Sequence, residues 1–98
     1  WKLTSHSDVT PLSDCMKQTT VVFIKHGVLS GEIYELNGGN CGKNTLNAIY
    51  EKETETLYTV ILDNGSSNTL VSAELSSNKL IWTEKTPTKT RVLNFVKD

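Results

Sequence analysis

Ninety-eight residues, 37% hydrophobic and 21% charged, are enough for one domain with one modest core and too few for two. A net charge of −1 excludes a chain that holds nucleic acid through its overall field, so any such binding would need a local patch. No apolar run approaches the ~20 residues of a membrane-spanning helix.

Residues 1–19 are polar and broken by Pro11, with Trp1, Leu3, Val9 and Leu12 scattered among them. This pattern predicts an N-terminal arm that packs on the core without defining it. The core begins at "TTVVFIK", 19–25, whose β-branched and aromatic run suits a buried strand. "HGVLS" reads as a turn and "GEIYEL", 31–36, as the second strand. "NGGNCGKN", 37–44, has the composition of a loop. In "TLNAIYEKETET", Thr45 could cap a short helix bearing Leu46, Ile49 and Tyr50. The β signals on both sides favour a strand "LNAIYE" followed by a turn "KETET" instead.

"TLYTVILD", 56–63, is the plainest strand, and the "DNGS" after it carries the Asn-Gly signature of a two-residue hairpin turn. With that turn at Asn64 and Gly65, Val60 faces Thr69 and Tyr58 faces Val71 across the return strand "NTLVSAEL". "SSNK" is a turn, "LIWT" a short strand, "TPTKT" a breaker, and "RVLNFV", 91–96, a possible last strand. The expectation is an all-β barrel or sandwich of five to seven short strands. Its barrel would occupy residues 20–82, with an arm at 1–19 and an extension or final strand at 83–98.

The chemistry of the chain is sparse. The glycine and lysine of "ELNGGNCGKNT" suggest a phosphate-binding loop, but that motif needs glycine where Asn37 stands and a hydroxyl where Asn44 stands. Glu51, Glu53 and Glu55 alternate along what would be one solvated strand face. No nucleophile elbow is present, and the histidines and cysteines lack metal-ligand spacing. No enzyme activity, metal or cofactor is expected. Cys15 and Cys41 allow one disulfide, and "NGS" at 64–66 is formally a glycosylation sequon.

The strand from residue 20, then Gly31 and Ile33, then Tyr58, Val60, Leu62, Asp63 and Gly65 in "YTVILDNG", and finally Val71 and Leu75, form a pattern that resembles the Tudor-type SH3-like barrel. The resemblance spans residues 20–82. It implies a small SH3-like barrel and a non-enzymatic interaction module, chromatin- or nucleic-acid-associated, in the nucleus or cytoplasm. Such domains read methylated side chains with an aromatic cage. The matching positions here hold His26, Leu62 and Ser66, with Asp63 as a carboxylate and Tyr34, Tyr50 and Tyr58 as alternative rings. The candidate ligand-binding residues are Lys25, His26, Lys43, Tyr50, Lys52 and Asp63. Lys25, Lys43, Lys52 and Lys79 could form a local nucleic-acid patch with Tyr50 as a stacking ring. A protein or peptide partner would use an exposed strand edge. The alternative is a stand-alone viral, phage or secreted β-domain that binds another protein.

Overall fold

The computed structural model describes residues 1–63 and 68–97. Eight strands run in chain order as β1 (Lys2–His6), β2 (Thr20–Ile24), β3 (Val28–Asn37), β4 (Asn40–Lys52), β5 (Leu57–Asp63), β6 (Asn68–Leu75), β7 (Lys79–Lys85) and β8 (Thr90–Val96). Each pairs antiparallel with the next, and β1 pairs with β8, so the sheet closes into an up-and-down barrel. Closure leaves no free edge around the ring. The all-β expectation holds; the strand number exceeds the five to seven expected of an SH3-like barrel.

Alternation decides which side chains face inward. Val21, Leu29, Ala48, Val60, Val71, Ala73, Leu80, Trp82 and Phe95 each point inside, and all are buried with Leu3. Leu29, Val60, Ala73 and Leu80 show no exposed surface. An eight-stranded barrel is just wide enough for side chains to fill it or for one small ligand to occupy it, and here side chains take the centre. Burying each large aliphatic or aromatic side chain stabilises the fold by about 1.5–3 kcal/mol. Gly31 lets β2 approach: a Cβ there would lie 2.6 Å from the Thr20 carbonyl oxygen.

Three stretches depart from the sequence reading. The first nineteen residues are not merely an arm, because β1 is a barrel stave with Leu3 buried against Phe95. Its seam to β2 is short, made by the Lys2 and Thr20 pairing and by Leu3 N–H to Thr19 O and Val21 N–H to Trp1 O, both 3.0 Å. Residues 37–44 are not a loop. Only Gly38 and Gly39 turn, with φ of +60° and +88°, and the chain pairs from Asn37 with Asn40 onward. Such positive φ values are what a two-residue hairpin turn demands. β2 pairs with β3 only at residues 28–32 and β5 with β4 only at 48–52. The hairpin therefore runs five residue pairs, about 16 Å, beyond its neighbours.

The third departure is register. Val60 faces Val71 and Tyr58 faces Ala73, two residues later than a turn at Asn64 and Gly65 would give. A shift of two preserves the faces, so the inward set survives. The Asn-Gly turn, Ser66 and the sequon lie outside the described residues. Residues 45–52 are strand, as preferred, and 90–96 supply the last stave. No helix among the described residues is long and apolar enough to cross a membrane.

Candidate functional site

The two ends of the barrel are built differently. At the end formed by the β2–β3 and β4–β5 connections, Phe23, Tyr50 and Tyr58 pack ring against ring, with centroids 5.1, 5.5 and 5.6 Å apart. Edge-to-face packing at these distances is favourable and leaves no space for an ammonium between the rings. The Tyr50 hydroxyl donates to the Ile24 carbonyl at 2.7 Å and pins the β2–β3 turn. In that turn His26 adopts φ +67°, followed by Gly27 at +74°.

At the opposite end the 7–19 connection is held by cross-links. A disulfide joins buried Cys15 to Cys41 on the projecting hairpin. Thr19, buried, accepts the Tyr34 N–H at its hydroxyl, 3.0 Å. Asp8 lies 2.9 Å from the Lys89 ammonium and 3.3 Å from the Arg91 guanidinium. The hydrogen bond from Lys89 holds the Asp8 carboxyl below the usual carboxylate range, helped by the charges of Lys89, His6 and Arg91 and opposed by desolvation. Glu84 accepts the Trp82 indole N–H at 3.0 Å and faces Arg91 at 4.0 Å.

The residues singled out from sequence do not form one site. Lys25, His26, Tyr50 and Lys52 gather near the aromatic end, while Lys43 sits on the projecting hairpin opposite Tyr34. Lys52 is taken by an exposed ion pair to Glu55 at 3.2 Å. Tyr50 is committed to Phe23, Tyr58 and the Ile24 carbonyl, so it is not a free stacking ring. The cage positions do not converge: His26 is in the β2–β3 turn, and Leu62 packs inward beside Ala48 on the far side of β4. Asp63 ends β5, and its side chain lies outside the described set.

A groove of about 700 Å³ lies elsewhere, on the outer wall over β5, β6 and β7. Thr59, Ser72 and Thr83 are successive cross-strand partners and form its floor. Leu70, exposed at 60%, lines one side, with Lys85, Thr86 and Pro87 on another. The wall at residues 86–89 is a closed turn: Thr86 N–H reaches Lys89 O at 2.8 Å, Thr86 Oγ1 donates to Lys89 O at 3.0 Å, and Lys89 N–H returns to Thr86 Oγ1 at 3.1 Å. Pro87 presets the backbone for such a turn. Through Lys89 the turn is tied to Asp8, so the groove's wall is preformed.

Sequence reasoning missed these residues. The signal available was that "TLYTVILD", "NTLVSAEL" and "KLIWTEK" place Thr or Ser at outward positions, but only the register aligns them into one floor. A second surface feature is an apolar row on the outer face. Ile24, Val28, Ile49, Ile61 and Leu70 are consecutive register partners from β2 to β6, and Ile49 is 54% exposed.

One family model, that of the Lipocalin-like domain, matches residues 1–82. The comparisons with curated proteins and with solved structures yield no match. The family match and the eight closed strands overturn the resemblance to a Tudor-type SH3-like barrel. The pattern behind that resemblance belongs to a twisted antiparallel hairpin, which barrels of different strand number share.

Proposed function

This chain belongs to the lipocalin-like domain family, and we propose that it is a non-catalytic binding barrel that carries a small molecule on its outer wall. The observation that carries this reading is the preformed groove of about 700 Å³ beside an interior already filled by side chains. Small-molecule sites are concave, largely preformed and some 300–1,000 Å³ in volume. The groove's size and its fixed 86–89 wall support that assignment. The disulfide between Cys15 and Cys41 supports an oxidising compartment, such as a secreted setting, over the nucleus or cytoplasm.

Ligand-observed NMR with a mixed set of small amphipathic molecules tests the reading, with Ser72→Trp as the groove-filled control. Ser72 is exposed, so the indole occupies the groove without entering the core. Hits that vanish with Ser72→Trp are expected. Hits untouched by it, or none at millimolar concentration, would refute the assignment.

A second reading rests on the apolar row from Ile24 to Leu70. An exposed contiguous apolar patch of this kind marks contact surfaces, and it supports a protein partner for the outer wall. Ile49→Glu, at the middle of the row, would then abolish that contact while leaving the groove's small-molecule hits intact.

A further inference from the structure

We infer that the groove is selective for a small amphipathic anion, with Lys85 as the residue that determines the charge it accepts. This rests on the groove reading above and goes on to name the class of ligand.

Charge bookkeeping around the groove gives the sign. Three cations lie where β7 turns into β8: Lys85 at the end of β7, Lys89 in the turn and Arg91 at the start of β8, while Lys79 stands at the other end of β7. Two are already neutralised, Lys89 by Asp8 and Arg91 by Asp8 and Glu84. Glu84 is further committed to the Trp82 indole on the inward side of β7. Lys85 follows Glu84, faces the opposite way, is exposed, and lines the groove. Among the described residues it has no acidic partner.

The remaining lining fixes the other half of the ligand. Most of the lining surface is apolar, with Leu70, Val71 and Pro87 among the residues that form it. The hydroxyls of Thr59, Ser72 and Thr83 stand in one cross-strand row and make no hydrogen bond to the described protein. A short apolar body with an anionic head satisfies all three features. The body lies against Leu70 and Pro87, the hydroxyls donate to the head or its neighbours, and the head meets Lys85. A cationic ligand finds no carboxylate among the lining residues. The closed 86–89 turn keeps the site from having to order itself on binding, which reduces the entropic cost of association.

Octanoate and octanol separate the charge from the body. Both are titrated, at up to millimolar concentration, into 15N-labelled protein, Lys85→Gln and Ser72→Trp. With octanoate, amide shifts are expected at Thr59, Leu70, Ser72, Thr83 and Lys85, and added salt weakens them. Lys85→Gln should weaken octanoate by about 1.4- to fivefold, the range for an exposed charge pair, and leave octanol unchanged. Ser72→Trp should remove both. If octanol binds in the groove as well as octanoate and Lys85→Gln alters neither, the anion inference falls and the groove reading stands. If shifts gather at a barrel end or along Ile24, Val28 and Ile49, away from the groove, or are absent, both fall.

Discussion

The two ends of this barrel solve one problem in two ways. Where connections are short, at residues 25–27 and 53–56, packing seals the end: Phe23, Tyr50 and Tyr58 meet edge to face, and a single hydroxyl pins the turn. Where the connection is long, at residues 7–19, packing alone does not hold the chain. That end carries the disulfide to Cys41, the buried Thr19 hydroxyl and the ion cluster of Asp8, Lys89 and Arg91. The difference follows from chain entropy. A three- or four-residue turn has little freedom to lose, whereas thirteen residues of polar connection offer few apolar groups to offset theirs.

The largest expected effect breaks the stapled end. The disulfide spans 26 residues, for which loop closure predicts a stabilisation of about 3.5 kcal/mol. Cys15→Ala with Cys41→Ala should therefore lower the melting temperature by on the order of 15 °C, and reductant should lower the wild type to the same value. The near-ultraviolet signal of the aromatic end should survive at temperatures below the new transition. Next in size is Phe23→Ala at the other end. It removes two ring contacts and a half-buried ring, a loss of about 2.5 kcal/mol. Its deficit, read by urea unfolding, should be the same with and without the disulfide. Strong coupling between the two would show that the ends are one cooperative cluster and not two separate closures.

The same contrast explains what the sequence made legible. Strands whose inward face is apolar were readable, because "TVVFI", "LYTVILD" and "LVSAEL" carry the hydrophobic pattern on their own residues. The aromatic end is assembled from such strands, yet Phe23 read only as a strand residue and Tyr50 and Tyr58 only as alternative cage rings until register brought the three together. β1 was missed because Leu3 is its single buried residue. The outer part of the hairpin, 37–44, was missed because neither of its faces is buried. It holds by backbone pairing, which leaves no periodicity, and its Gly and Asn content argues for a loop. The cysteine pair could be counted but not joined. The groove lay furthest from view: its floor unites residues 59, 72 and 83, and a hydroxyl on an outward position means little until its cross-strand neighbours are known.

The smallest effect sharpens the comparison by pH. Asp8 has its carboxyl held below the usual range, mainly by the hydrogen bond from Lys89. A depressed folded-state pKa contributes stability that is fully present above the unfolded value and is lost as pH falls through the folded one. The contribution should therefore be constant from pH 7 to about 5 and should disappear progressively below about pH 4. Asp8→Asn keeps the shape and removes the charge, so it should be less stable than wild type at neutral pH and equal to it near pH 2. Raising the salt concentration should narrow the neutral-pH gap, because the pair is exposed. The Phe23→Ala deficit, which involves no charge, should change little with pH or salt. A gap between wild type and Asp8→Asn that persists undiminished at pH 2 would mean that the carboxylate charge is not what Asp8 contributes. The charge cluster would then carry no part of the closure of the stapled end, which would rest on the disulfide and the Thr19 hydroxyl.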